Sequence, residues 1–568
     1  MTRPTPPIPL DTPAEQIVDH LVGPRVPIDD RLLEHLRLVC SEVTVDDADR
    51  AEAGRDWWPL TIRWAIKGQV PSRPAAVARP TDTAQVSALL ATCSRANVPV
   101  TVMGGRSGVS GGSIPAFGGL ALDLTNMAGI DAVDSNSLLA DVRAGTFGPD
   151  LEVGLRAHGC TLGHWPQSME LSTLGGWLAC RGAGQYSTRY GKIEDMVVGL
   201  EVVLADGRII HTGGTGPRSA TGPDLTQLFL GSEGTLGVIT RARLRLHPIA
   251  PAEERRAYGF SNFTEGLDAC RRILRRGATP AVLRLYDAAE TARSFDLGGT
   301  CALIVLDEAD PALLNATIGI VDEECVTSGA TPLDVGLVER WVQHRNDVSA
   351  LVPLYRAGLV VDTIEIAARW SALPGIYAAA LAALDSVPGT LAASAHQSHS
   401  YADGACLYFT FAGKMPDEIG VATDVATIIG GNPTKVGESS GWVPDNAPEL
   451  GADIGVEVRV EDGDLTGTEA ASSYAQHFAK VAADAAQDAW ADHYYAASWA
   501  AVMDVVRHAG GNISHHHGIG LNRGRFMQAS LGGAFDVLAA VKDVLDPKGI
   551  LNPGKLGFPS PYGEVRWP

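Results

Sequence analysis

The stretch Val102-Met103-Gly104-Gly105-Arg106-Ser107-Gly108-Val109-Ser110-Gly111-Gly112 follows an apolar run, Val98-Pro99-Val100-Thr101-Val102, that reads as a short buried strand. Glycines at this density let the backbone take positive φ and turn several N–H groups toward one anion, an arrangement that suits a pyrophosphate. The spacing is not the GxGxxG of a dinucleotide fold, and no strand–helix unit with an acidic residue about 20 positions on follows it. Taken alone, the loop is equally compatible with a plain flexible connection.

Strands and helices alternate on both sides of this loop. Val77 to Pro80 reads as a strand, and Thr83 to Ala96 as a helix with Val86, Leu89, Leu90 and Cys93 on one face. Further strands are predicted at 120–124, 139–144, 197–204, 208–212 and 238–246, which makes 74–249 one α+β domain. Residues 1–73 form a helical extension, in which Asp29-Asp30 caps a helix through Leu32, Leu33, Leu36 and Leu38. Its aromatic cluster, Trp57-Trp58-Pro59-Leu60 with Trp64, reads as packing rather than as a lid. A second domain spans 250–510, with strands at 257–260, 303–306 and 406–411, a helix at 263–275, and helices covering one side of its sheet. Within it, 416–487 is rich in Gly, Asp, Glu and Pro, and is read as a surface insertion. A C-terminal segment, 511–568, carries a helix from Gly532 through Val537, Leu538, Val541 and Val544, and then the turn Asp546-Pro547-Lys548-Gly549.

Composition bounds the function. The chain has 568 residues and a formal net charge of -21, with 45% hydrophobic and 20% charged residues. That is an ordinary globular balance, and the acidity disfavours nucleic acid and anionic membrane surfaces as partners. The 8 cysteines are scattered without a CxxC pair, as expected of reduced thiols. The proline-rich start lacks the apolar run of a signal peptide, and no apolar stretch is long enough to span a bilayer, so a cytoplasmic protein is expected.

Three further segments carry chemistry. Gly163 to Trp177, with the core Gln167-Ser168-Met169-Glu170-Leu171-Ser172-Thr173-Leu174-Gly175-Gly176-Trp177, offers hydroxyl and backbone donors on an irregular stretch. Gly231-Ser232-Glu233-Gly234-Thr235-Leu236-Gly237-Val238-Ile239-Thr240 is a glycine-punctuated turn running into a strand. The run His515-His516-His517 places imidazoles, the side chains that trade protons near neutral pH, side by side. A metal site is the rival reading of that run, but adjacent positions cannot all point at one ion, and none is assigned.

Together with Tyr190 to Val198, Gly216 to Leu225, Ala281 to Asp287, His399 to Phe411 and Asp546 to Leu556, these segments closely resemble the alkyldihydroxyacetonephosphate synthase family. That family lies within the FAD-linked oxidases of the vanillyl-alcohol-oxidase superfamily. The resemblance implies an α+β fold: a PCMH-type FAD-binding domain plus an α/β substrate (cap) domain, with the helical extension in front. It implies FAD held noncovalently, because the first loop lacks the tethering His or Cys of covalent relatives. It places the cofactor against Met103, Gly104, Gly105, Arg106, Ser107, Gly108 and Val109; against Gln167, Ser168, Thr173, Gly176, Trp177, Cys180, Arg181, Gly182 and Gly184; and against Glu233, Gly234, Thr235, Gly237, Val238 and Ile239. It makes Tyr408, His515, His516 and His517 catalytic, and Arg284 and His399 substrate-binding. The implied reaction exchanges acyl for alkyl on a dihydroxyacetone phosphate ester in ether-lipid synthesis, with the flavin N5 as electrophile and no net redox change. A small-molecule or lipid substrate and a homodimer are implied with it.

Two departures bear on this reading. Without gaps, Leu351 falls where the family has a second substrate-binding arginine, and Arg345 and Arg356 are only near it in sequence. The hydroxy-acid dehydrogenases of the wider superfamily carry a metal-binding HxGDGNxH-like stretch and a GEHG turn. Here those places read Ala395-His396-Gln397-Ser398-His399-Ser400-Tyr401 and Ser514-His515-His516-His517-Gly518. The alternative chemistry is hydride transfer from an alcohol or hydroxy acid to flavin.

Overall fold

The computed structural model describes residues 10–214, 216–347, 351–415 and 467–566. The helix Asp30–Val39 is capped as its sequence predicts, with the Asp29 carboxylate accepting from the Leu32 N–H at 2.7 Å. Its buried residues are Leu33 and Leu36, while Leu38 is 81% exposed. Leu38 thus falls off the face its inclusion in the apolar pattern predicted. The helix Thr83–Ala96 is capped by Asp82 and ends at Asn97, whose φ of 54° takes the left-handed conformation that closes helices. Val86, Leu89, Leu90 and Cys93 are buried together on it, as expected.

Two sheets frame the glycine-rich loop. The first orders Val43–Thr44, Ala76–Ala78, Leu120–Asp123 and Val100–Met103, with parallel pairing among the last three. The loop leaves the C-terminal end of Val100–Met103. The second is an antiparallel five-stranded sheet ordered Ile209–His211, Val197–Val203, Val238–Arg245, Leu139–Arg143 and Ile130–Asp134.

A seven-stranded antiparallel sheet follows, ordered Thr331–Pro332, Ala252–Phe260, Cys301–Ala309, Val282–Tyr286, Thr390–Ser400, Gly404–Gly413 and Val360–Arg369. Strand alternation gives it two chemically different faces. Leu283, Leu285, Ile364, Ile366, Ala395, Leu407 and Phe409 pack in one core with the helices Phe263–Arg275 and Leu373–Asp385 and the end of Gly467–His508. Val282, Tyr286, Ile304 and Leu306 point the other way, into a core shared with the five-stranded sheet. The polar residues of three adjacent strands lie on this second face. Glu365 pairs across to Tyr408, and Tyr408 to His396, in one row; Thr363, Thr410 and Ser394 form the next. The expected insertion at 416–487 lies outside the described residues as far as 466, and from 467 it is the start of the helix Gly467–His508.

The C-terminal helix runs Gly533–Leu545, but its buried residues are Phe535 and Lys542. Val537 and Val544, predicted for its apolar face, are 66% and 77% exposed. Lys542 wins the inside position through its partners, donating to the carbonyls of Thr235 (2.7 Å) and Leu551 (2.9 Å) and to Asp546 (2.5 Å).

Candidate active site

A cavity of about 520 Å³ opens between the glycine-rich loop, the segment 166–183 and the polar face of the seven-stranded sheet. That volume is in the range of small-molecule and cofactor sites. Its walls include Met103 through Val109, Gln167, Ser168, Thr173, Gly176, Trp177, Cys180, Gly182, Glu233, Gly234, Gly237, Val238 and Ile239. Three expected cofactor residues are not on the wall. Arg181, at φ 55°, turns outward to Glu194 at 3.4 Å. Gly184 is pressed against the backbone of His164 and Trp165, where a Cβ would collide. Thr235 bonds its own turn at the Ser232 carbonyl (2.7 Å).

The cradle is shaped for a close-lying ligand. A Cβ on Gly105 would strike the Leu171 carbonyl, while at Gly108 it would meet only Asp56 Oδ2, at 4.0 Å. Arg106 takes φ 57° inside the loop and is anchored on the Glu52 carbonyl. The C-terminal segment ties the parts together. The Glu233 carboxylate accepts from the N–H groups of Ile519 (2.5 Å) and Gly520 (2.8 Å), and Asn552 Nδ2 donates to the carbonyls of Gly112 and Glu233. Burial raises the Glu233 carboxyl despite those hydrogen bonds. The glycine cradle and its buried donors fit a dinucleotide flavin, and the loop has no side chain to tether one.

Glu365 organises the opposite wall. Its fully buried carboxylate accepts from the backbone N–H groups of His515 (2.5 Å), His516 (3.3 Å) and His517 (3.0 Å), from Ser514 Oγ (2.9 Å) and from Arg523 (2.7 Å). Burial alone would raise its pKa, but the Arg523 charge, then His517 and His515, hold it down at about 2. One buried acid therefore fixes the conformation of the whole histidine run.

From there a hydrogen-bonded chain leads inward. Tyr408 Oη lies 2.6 Å from His516 Nε2 and 3.4 Å from His517 Nε2; His516 Nδ1 lies 2.7 Å from His515 Nδ1; and His515 Nε2 lies 3.0 Å from Tyr401 Oη, itself 3.2 Å from Ser187 Oγ. Tyr408, His516, His517, His399 and Arg284 line the cavity; His515 stands one bond behind them. Burial lowers His515 and His517 to about 4 and holds His516 well below its usual value, so all three are neutral at pH 7. Burial also raises the Tyr408 phenol well above its usual value, keeping it protonated.

Beside this chain His396 stacks on Tyr408, centroids 4.8 Å apart at 11°, and is held between Glu290 (2.9 Å) and Arg284 (2.6 Å). Glu290, Arg293, Thr363, His396 and Thr410 all line the cavity, and sequence reasoning did not single them out. The polar alternation of Val360–Arg369 was a signal for Thr363 and Glu365; nothing local marks Glu290 or Arg293. Arg345 and Arg356, the arginines nearest Leu351, stay off the wall: Arg345 bonds Gln185 at 3.2 Å, and Arg356 reaches Asp11 at 3.3 Å.

The ligand atoms of His399, Cys406, His515 and His516 lie within 4.8 Å of one another, so strands and histidine run do bring a metal-sized cluster together. The expectation of no metal overlooked this, because it weighed the three adjacent histidines alone. In the structure His399 Nδ1 bonds Ser398 Oγ at 2.6 Å and His516 bonds both Tyr408 and His515, while the buried His399 Nε2 has no hydrogen-bond partner among the described residues.

Residues 74–213 match the FAD binding domain family, and 251–429 with 476–556 match the C-terminal domain of the FAD linked oxidases, together well over half of the chain. The second match breaks across 430–475. The uncharacterized FAD-linked oxidoreductase YgcU of Escherichia coli strain K12 is 28% identical over 498 residues, covering 85% of this chain and 89% of its own. The alkyldihydroxyacetonephosphate synthase of Dictyostelium discoideum is 27% identical over 527 residues, covering 86% and 74%. A solved alkyldihydroxyacetonephosphate synthase structure superposes with a TM-score of 0.68 at 23% identity, over 95% of this chain and 88% of that one. Among the described residues no helix is long and apolar enough to cross a membrane. With the glycine cradle, the two matched domains and a shared fold in place, the chain belongs to the FAD-linked oxidases and is an FAD-dependent enzyme.

Proposed function

We propose that the protein is an alkyldihydroxyacetonephosphate synthase-like enzyme that exchanges the acyl group of a dihydroxyacetone phosphate ester for a fatty alcohol, with no net redox change. The observation that carries this reading is the Tyr408–His516–His515–Tyr401 chain, which ends on the cavity wall beside Arg284. Bound FAD supplies the electrophile of such a reaction.

The chain's own residues supply proton transfer and orientation. Neutral His516 and His515 allow two consistent tautomer sets along the hydrogen bonds. In one, Tyr408 O–H donates to His516 Nε2, His516 Nδ1–H to His515 Nδ1, and His515 Nε2–H to Tyr401. In the other every bond is reversed, and the Tyr408 proton is free to point into the cavity. Passing from the second set to the first gives the Tyr408 cavity proton to the substrate while one enters at the half-buried Tyr401, beside Ser187; the reverse passage takes a proton from the substrate and releases one there, so no lasting buried charge is created. Arg284 offers a planar fork of donors to the substrate's anion, and the apolar walls around Trp177 and Leu171 exclude water. On this reading the enzyme is a cytoplasmic homodimer with noncovalent FAD, which light scattering and cell fractionation test.

Incubating the holoenzyme with acyl dihydroxyacetone phosphate and a long-chain alcohol, without an electron acceptor, should give the ether lipid and free fatty acid in equal amounts by mass spectrometry. Absence of ether product would refute the proposal. One observation favours hydride transfer from an alcohol or hydroxy acid instead: neither Arg345 nor Arg356 reaches the cavity, so neither replaces the arginine expected at Leu351. Formation of an oxo acid from a hydroxy acid, with dye reduction, would decide for that reading.

A further inference from the structure

Helix Ala288–Phe295 places a second guanidinium on the cavity wall. Arg293 lines the same cavity as Arg284 and pairs with Glu290 one turn back, Nη2 to Oε1, at 3.2 Å. The same Glu290 oxygen accepts from His396 Nδ1 at 2.9 Å. Arg284 Nη2 lies 2.6 Å from His396 Nε2. An arginine can only donate, so Nε2 must be the acceptor, and the His396 proton must sit on Nδ1 and point at Glu290. The tautomer is thereby fixed by the bonds themselves. Glu290 and His396 are buried, and His396 is additionally clamped by its stack on Tyr408. Arg293 Nη1 also donates to Ser394 Oγ, at 3.4 Å. Two arginines from different elements are thus held by one carboxylate, one directly and the other through an imidazole.

We propose that Arg293 is the second substrate-binding guanidinium of the anion subsite, and that Glu290 is its positioning residue, holding Arg293 directly and Arg284 through His396. The ligand is a small acidic group, phosphate or carboxylate, gripped by two planar donor forks. This rests on the reading of Arg284 as the substrate's anion contact. Glu290 lies on the cavity wall, but its Oε1 is taken by His396 and Arg293 and its Oε2 is closed off from solvent, so it holds the arginines rather than the ligand. Its role is orientation, and its negative charge works against anion binding, which gives the test its sign.

The test titrates inorganic phosphate, and separately oxalate, into the FAD-loaded enzyme, reading binding by calorimetry and by the visible difference spectrum of the flavin. Arg284→Gln and Arg293→Gln should each weaken the better-bound anion about tenfold with flavin content unchanged. Which anion binds more tightly to the native enzyme decides between phosphate and carboxylate. Glu290→Gln should weaken binding about tenfold even though it removes a negative charge beside the anion. His396→Gln, whose amide can donate to Glu290 and accept from Arg284, should stay within about threefold of native, whereas His396→Leu should match Glu290→Gln. Unchanged affinity in Arg293→Gln with weakened affinity in Arg284→Gln would overturn the inference and leave the Arg284 reading standing. No effect in either variant, or no binding of either anion to the native enzyme, would remove the Arg284 reading and the inference with it. Tighter binding in Glu290→Gln would show that carboxylate to be a plain electrostatic opponent of the anion.

Discussion

Glu365→Gln is the substitution that should cost this protein most for the smallest change in shape. The carboxylate holds three consecutive backbone N–H groups, Ser514 and Arg523 at distances of 2.5 to 3.3 Å. A carboxyl held at about 2 against an ordinary 4.5 corresponds to about 3 kcal/mol in favour of the charged form in the fold. Independently, removing one partner of a buried ion pair costs about 3–5 kcal/mol, because the other charge is left uncompensated. The two estimates agree, and a loss of about 3–5 kcal/mol is expected. The amide also points a donor at N–H groups that are donors themselves, so the histidine run should shift and turnover should fall by at least tenfold. Urea unfolding of the FAD-loaded protein, followed by flavin fluorescence, measures the first effect and steady-state kinetics the second. The double variant Glu365→Gln/Arg523→Met should recover part of the stability but not the turnover, since it removes the orphaned charge without restoring the anchor. A Glu365→Gln enzyme within about 1 kcal/mol of native stability and with native turnover would refute the anchoring argument.

Three further outcomes follow from the same geometry. Tyr408→Phe and His516→Ala should each lower kcat by about a hundredfold, the scale of lost acid–base catalysis, with the flavin spectrum intact; loss of flavin in either would make these residues structural. Acid precipitation should release all of the flavin as FAD into the supernatant, and yellow colour retained on the denatured chain would contradict noncovalent binding. His515 and His517 titrate near 4 in the fold and near 6.5 unfolded, so the unfolded chain takes up more protons between those values and stability falls as pH drops from 6.5 toward 4. Urea midpoints across that window should show the slope, and His517→Asn should flatten it; a native midpoint independent of pH there would contradict burial of the neutral imidazoles.

The cofactor half was legible because its constraints are local. A glycine that must approach the Leu171 carbonyl, or an Asp82 that must cap Thr83–Ala96, marks its own sequence position. The residues that surround the candidate reaction centre are set by strand register instead. Glu365, Tyr408 and His396 come from three strands and meet only because the pairing puts them in one row, and a single sequence does not state that pairing. The C-terminal helix failed for a related reason. Its apolar pattern pointed to Val537 and Val544, but Lys542 is drawn inside by two carbonyls and Asp546 from segments whose arrival the helix itself does not encode. The four-residue cluster of His399, Cys406, His515 and His516 was invisible for the same cause, its members coming from two strands and a loop.

The most direct test of the central claim is the flavin's absorbance during anaerobic turnover with acyl dihydroxyacetone phosphate and a long-chain alcohol. Many turnovers of ether product are expected with no acceptor present, the visible absorbance returning to that of oxidised flavin. Stable bleaching by an alcohol or hydroxy acid, reversed only by oxygen or a dye, would contradict that claim and assign the enzyme to hydride transfer.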